Sequence, residues 1–310
     1  MKLLSVDYSM SLQFSGDVSD HYFTLRCVPI SRGCQTVLSR SLEISPEVPI
    51  FNSRDVFGNI VYRGHCFSNH KSFSFRANAE VQVHGENGTR ENCPAFYKYH
   101  TPLTSCTDSM RHFLYDAFSH TEFLPMISEQ KIPSERVRDF MRALLPEVYS
   151  RIEYKSGSTT VRTSAAEAFE GRKGVCQDYA HLMIALCRHA GIAARYVCGM
   201  SIGEGATHAW VEFFVPDDTY LPKNGQEASG TWYGIDPTRN KFTDDAYVIL
   251  AVGRDFCDCQ VDRGVFCGAA DQKQTVFVKT TELPMNADTS LFSGHSVRSG
   301  ADMAGQQQSV

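Results

Sequence analysis

At 310 residues the chain is about two average domains long, and its 42% hydrophobic and 21% charged content is that of an ordinary globular protein. Lysine and arginine number 30 against 35 acidic residues, a net charge of −5, with no basic block. That balance argues against nucleic acid or an anionic membrane as partner. No run approaches the roughly 20 apolar residues that span a bilayer, and the N-terminus MKLLSVDYSMSLQFSGD turns polar too early for a signal-peptide core. Eleven cysteines, an odd and scattered set in a chain long enough to build cores unaided, read as reduced thiols in a cytoplasmic protein rather than a disulfide framework. Most are expected to act as small buried hydrophobes, leaving room for one that does chemistry.

Residues 1 to about 90 read as a β-rich unit. His21, Phe23, Leu25 and Cys27 alternate with Tyr22, Thr24, Arg26 and Val28, and Phe73, Phe75, Ala77, Ala79, Val81 and Val83 fall on one face of a second period-two run. Turn residues at 31–33, 45–46, 57–59 and Asn87-Gly88 separate the runs, which favours a small sandwich. Periodicity then becomes helical. Val137, Phe140, Met141, Leu144 and Val148 follow helical spacing behind Ser134, an expected N-cap, and Ser164 and Glu167 have the spacing of a capping box.

Cys176 to His189, CQDYAHLMIALCRH, is apolar nearly all round and stops before Gly191, so it is expected to be a buried helix. Strands are expected at 194–200, 208–215, 231–236 and 275–280. From Pro284 the chain is rich in Ser, Gly and Gln and reads as a disordered tail, 284–310.

Cys176 opens that helix behind Arg172, Lys173, Gly174 and Val175. A helix start carries partial positive charge and two cations lie just upstream, a setting suited to an anionic sulfur. Gly174 is expected to leave room for a substrate backbone.

A nucleophilic cysteine needs a base, and the base needs an orienting group. His208, Trp210, Glu212 and Phe214 share one face of a strand; Trp232, Gly234 and Asp236 share one face of the next. Pairing around position 223, the middle of the intervening loop, sets His208 opposite position 238, beside Asp236.

The segments GVCQDYAHLMIALCRHAGIAARYVCG, THAWVEFFVP and WYGIDPTRN resemble the transglutaminase-like superfamily. SRDVFGN and its flanking strands resemble the N-terminal region of bacterial members, and AVGRDFCDCQVDRGVFCG their C-terminal GRD segment. The resemblance implies an α+β protein: a papain-like transglutaminase core, 91–283, in which a buried Cys helix packs on an antiparallel sheet, after the β-sandwich-like domain 1–90. It also implies a catalytic triad of Cys176, His208 and Asp236. The sequence departs from the pattern in a long 217–230 loop and in Cys257 and Cys259 within the GRD segment.

The expected activity is that of a cysteine enzyme acting on an amide of a peptide or protein through an acyl-enzyme, with release to water favoured over transfer to an amine. Bacterial members of the family are described as cysteine proteases, and no calcium-loop pattern occurs in this chain. No cofactor is expected. Two alternatives stay open: a non-catalytic binding module on the same fold, and a zinc site at Cys257-Asp258-Cys259 with Cys267, although C-x-C lacks the spacing of structural zinc sites. Asp178, Tyr196 and Trp210 are candidate substrate contacts, and Arg254 with Asp255 a candidate ion pair.

Overall fold

A computed structural model describes residues 1–85, 88–217 and 227–284. Asn87 of the expected turn, positions 218–226 of the long loop and the expected tail after Pro284 lie outside the described residues.

The N-terminal unit is built on one 24-residue strand, β1 (Lys2–Leu25). Leu4, Val6, Tyr8, Met10, Leu12 and Phe14 are buried in alternation with polar residues, and the pattern resumes at Val18 after a break in register. β2 (Gln35–Ser45), β3 (Ile50–Arg54), β4 (Ile60–Cys66) and β5 (His70–Val83) join it in the order β2-β5-β1-β4-β3. The first half of β1 pairs with β5 and the second with β4, so one strand runs through two wings of a bent antiparallel sheet. The wings close on each other through Phe73, which meets Phe23 and His21 with ring centroids 4.8 Å apart in each case.

The second unit follows the short strand β6 (Thr89–Arg90). Helices α1 (Asp108–Ala117), α2 (Phe123–Ser128) and α3 (Ser134–Arg151) lead to β7 (Glu153–Tyr154), α4 (Ala165–Gly171), β8 (Lys173–Gly174) and α5 (Cys176–His189). Ser134 is the first helical residue of α3 and Pro133 the N-cap, because Pro133 supplies the extended backbone that precedes the helix. Ser164 and Glu167 do form the capping box of α4. α5 spans the expected residues, with 177–188 all buried, and Gly191 follows it at φ +82°. A Cβ there would lie 2.3 Å from the Gln130 carbonyl oxygen.

α5 packs on β9 (Ala194–Ser201) and β10 (His208–Pro216), central strands of a second antiparallel sheet. Its order is β12-β11-β10-β9-β13, with β11 (Gly230–Asp236), β12 (Lys241–Phe242) and β13 (Tyr247–Gly253). α6 (Phe256–Cys259) then leads to β14 (Asp262–Cys267) and β15 (Gln272–Leu283). These last two strands, which the sequence reading places with the core, pair with β1, β14 along its second half and β15 along its first.

The two units are also stitched by side-chain amides. β13 is an edge strand, and an edge exposes backbone groups that need partners. The Gln35 amide accepts from Ile249 N at 2.8 Å and donates to Ile249 O at 2.9 Å. The Asn59 amide does the same for Val252, at 2.8 Å both ways. Both amides are fully buried.

Candidate active site

Cys176 is the first residue of α5, after Val175 in extended conformation. The first N–H groups of a helix have no carbonyl one turn back, so they need other partners. One is supplied locally: the Asp178 carboxylate accepts from Val175 N and from Thr159 Oγ1, each at 2.7 Å. Burial pushes the Asp178 carboxyl up against these hydrogen bonds, and its other oxygen is buried without a partner among the described residues. Gly174 serves this arrangement rather than a substrate backbone. A Cβ on Gly174 would stand 2.6 Å from the Asp178 Cβ and 2.8 Å from its Oδ2, so the glycine is what lets Asp178 reach back.

His208 is the first residue of β10 and Asp236 the last of β11, and both are buried. Val211 faces Ile235, the register centred on position 223 that the hairpin implies, and it carries the two side chains to one end of the sheet. His208 Nε2 donates to Asp236 Oδ2 at 2.7 Å, and the Cys176 sulfur lies close enough to bear on the same imidazole. Burial alone would lower the His208 pKa from its usual 6.5. The Asp236 hydrogen bond and charge, together with the neighbouring Cys176 sulfur, outweigh it and raise the value to about 9. Burial would raise the Asp236 pKa, but His208, Tyr247 and the Thr238 amide hold it below the ordinary 3.8.

The three polar or aromatic candidates for substrate contact are placed differently. Asp178 is 1% exposed and caps its own helix; Tyr196, 2% exposed, packs on His181 and Phe256; Trp210, 1% exposed, lies between His208 and Tyr247. Asp178 is committed to its own helix and Tyr196 to the helix–sheet interior, whereas Trp210 faces the other side of β10 and lines a cavity with Cys34 and Val83. Arg254 pairs with Asp258 at 2.8 Å rather than with Asp255, whose carboxylate is taken by the Cys257 amide at the start of α6. Cys257 and Cys267 are exposed and Cys259 is buried, and the described residues bring no three His, Cys, Asp or Glu groups to one point for a metal.

All eleven thiols are free. Burial pushes Cys27, Cys93, Cys187 and Cys198 up to about 12, so they are held as neutral thiols. Cys176 is the thiol that bears on His208, the histidine tied to the Asp236 carboxylate.

Residues 126–237 match the model of the transglutaminase-like superfamily, and residues 4–82 match that of the bacterial transglutaminase-like N-terminal region. The chain belongs to the transglutaminase-like superfamily. An uncharacterised protein of Mycobacterium tuberculosis is 27% identical over 302 residues, covering 91% of this chain and 93% of that one. One from Mycobacterium leprae is 23% identical, covering 90% and 99%. A crystal structure from Cytophaga hutchinsonii, described as a candidate cysteine protease, has a TM-score of 0.68 at 22% identity and covers 92% of both chains. This likeness is one of fold. In this superfamily member the two matched regions are the bent N-terminal sheet and the helix–sheet core that bears Cys176, His208 and Asp236.

Two further residues complete the surroundings of Asp236. Tyr247 donates to Asp236 Oδ2 at 2.8 Å, and the Arg239 guanidinium bonds Ser201 Oγ at 2.8 Å and Tyr247 Oη at 3.3 Å while pairing with Glu204. Arg239 could have been found from its place three residues after Asp236; Tyr247 arrives through the pairing of β13 with β9.

Proposed function

We propose that the protein is a cysteine hydrolase that cleaves an amide bond of a peptide or protein through an acyl-enzyme, with Cys176 as nucleophile, His208 as acid–base and Asp236 as the group that fixes the imidazole. The observation that carries this reading is the 2.7 Å hydrogen bond between His208 and Asp236 beside Cys176 at a helix start. His208 takes the thiol proton, and the sulfur adds to the amide carbonyl, forming a C–S bond and moving the C=O electrons onto oxygen. As the carbonyl re-forms, the C–N bond breaks and the imidazolium gives its proton to the departing nitrogen. Water, deprotonated by His208, then adds to the thioester; the C–S bond breaks and the acid leaves.

Hydrolysis is favoured over transfer to an amine by the description of the Cytophaga hutchinsonii protein as a candidate cysteine protease. The same three side chains serve either acceptor. A cytoplasmic setting fits the eleven free thiols, and among the described residues no helix is long and apolar enough to cross a membrane. Release of peptide or ammonia, followed beside incorporation of a labelled primary amine, tests the acceptor. Release without incorporation is expected, and incorporation alone would overturn hydrolysis. Turnover by a Cys176→Ala chain would overturn the nucleophile.

A further inference from the structure

The bend of β1 leaves room inside the N-terminal unit. A cavity of about 470 Å³ lies between the two wings, and Arg162 of the segment before α4 reaches its side. That volume suits a small-molecule ligand. Met10 and Leu12 from the first half of β1, Phe23 and Leu25 from the second, and Phe73 from β5 form an apolar wall, and all five are buried. Polar groups at two places distinguish the cavity from a packing defect.

His21 lines the same cavity and is 2% exposed. Its hydrogen bonds fix which nitrogen carries the proton. His70 Nδ1 lies 2.9 Å from the Ser68 carbonyl oxygen, which can only accept, so that nitrogen is protonated. Neither ring has a carboxylate partner among the described residues and both are buried, so both are neutral. His70 Nε2 is then an acceptor, and His21 Nδ1, 3.2 Å away, must donate to it. His21 Nε2 is left with a lone pair and no hydrogen-bond partner among the described residues. Gly264 keeps this nitrogen open, since a Cβ there would stand 2.7 Å from it. Burial and the neighbouring His70 push His21 down to about 4, so the acceptor persists at neutral pH. A buried acceptor without a partner is unfavourable, and a donor on a ligand relieves it.

The rim favours the opposite charge. Arg162 and Arg263 line the cavity, are exposed, and pair with no carboxylate among the described residues. Asp262 on the same wall is already engaged, its Oδ2 accepting from the Gln274 amide at 3.0 Å. Between acceptor and rim, the rings of Phe23, Phe73 and Phe266 offer edges and faces to a flat aromatic body.

We propose that this cavity binds a small aromatic carboxylate with a hydroxyl on its ring. The hydroxyl donates to His21 Nε2, the ring lies among the phenylalanines, and the carboxylate meets Arg162 and Arg263. No covalent step is involved, and the site does not depend on the acyl-enzyme reading.

Calorimetric titration of the full chain with 3-(4-hydroxyphenyl)propionate tests the assignment, at about pH 8, where the carboxylate is ionised and the phenol neutral. Saturable binding of one ligand per chain is expected. 3-Phenylpropionate, which lacks the hydroxyl, should bind about tenfold more weakly. Joint replacement Arg162→Gln and Arg263→Gln changes only exposed side chains and should weaken binding about fivefold. His21→Phe, its fold checked by thermal midpoint, should bind the two ligands equally; if it does not fold, the ligand pair on the parent chain decides. Cys176→Ala should bind as the parent does. Absence of saturable binding would overturn the proposal, as would equal affinity of the parent chain for the two ligands. Unchanged affinity in the double arginine variant would overturn it too. Loss of binding in Cys176→Ala would do the same, placing the ligand in the catalytic site.

Discussion

Tyr247 and His208 meet on the same oxygen of Asp236. The imidazole donates at 2.7 Å and the phenol at 2.8 Å, while the other oxygen accepts from the Thr238 amide at 3.0 Å and the Arg239 amide at 3.3 Å. Arg239 Nε stands 3.7 Å from the shared oxygen. A carboxylate without solvent contact is thus kept ionised by four donors and a cation, and its orientation is over-determined. Tyr247 opens β13, so the edge strand of the sheet reaches the far side of the histidine's partner.

Tyr247→Phe tests that relationship. Removing one donor to a buried carboxylate costs about 1.5–3 kcal/mol, read as a lower thermal midpoint. It also concentrates negative charge on the oxygen that faces His208, which strengthens the hold on the imidazolium. The alkaline limb of the rate profile should therefore move to higher pH, while KM stays put. An unshifted limb with an unchanged midpoint would show that the phenol does not bear on Asp236.

The pH dependence of the unsubstituted chain follows from the same pair. His208 titrates at about 9 in the folded chain against 6.5 when free of its partners, so its stabilising contribution is complete below pH 6.5 and is lost as pH rises through 9. Asp236 has the opposite sign: its lowered pKa stabilises the fold above pH 3.8, and the contribution is lost as pH falls through the folded value. Acylation needs the imidazolium, so its rate should decline through pH 9. In Asp236→Asn the decline should move down towards 6.5, which a rate profile with an activated ester would read. An identical alkaline limb in both chains would contradict the assignment of His208.

The sequence carries these features unevenly. α5 is legible because every face is apolar and Gly191 ends it, and the β10–β11 register is legible because a hairpin is local and its centre fixes the partner of each residue. β1 is less so. Its alternation from Leu4 to Phe14 marks a strand, but nothing local says that it continues through Val18 to Leu25 into a second wing. Pairing of β14 and β15 with β1 joins residues more than 200 positions apart, which no nearby pattern encodes. Tyr247 is illegible for the same reason, since it reaches Asp236 only after β13 pairs with β9. Asp178, Tyr196 and Trp210 are near the site in sequence, but only the register of β9 and β10 says which sheet face Tyr196 and Trp210 take.

Gly174→Ala should be costly at a position that bears no functional group. The added methyl must push Asp178 away from Val175 N, breaking a 2.7 Å helix cap and turning the first turn that presents Cys176. A lost cap costs about 0.5–2 kcal/mol, and overpacking adds about 1–3 kcal/mol. The expected result is a lower thermal midpoint together with slower iodoacetamide alkylation of Cys176. Asp178→Gly in the same background removes both the Cβ and the carboxylate that the new methyl meets, so the double variant should lose less stability than the sum of the single losses. Strict additivity would place the strain elsewhere.

Asn59→Ala and Gln35→Ala test whether the N-terminal sheet is needed to hold the active-site sheet. Each amide is the hydrogen-bond partner of both backbone groups of one β13 residue, Val252 or Ile249, in a fully buried setting. Alanine leaves a donor and an acceptor stranded, and each unsatisfied buried group costs about 1–3 kcal/mol. Asn59 additionally receives support from Asp55, whose carboxylate accepts from the Asn59 backbone N at 3.0 Å and from its side-chain amide at 3.1 Å. Stability losses of about 2–5 kcal/mol are expected by urea titration, more than a surface substitution gives. Because Tyr247 begins the same strand, hydrogen exchange at β13 amides should quicken in both variants, and acylation should fall with it. A variant that lost stability while β13 exchange and acylation stayed at wild-type values would confine these amides to tethering the two units.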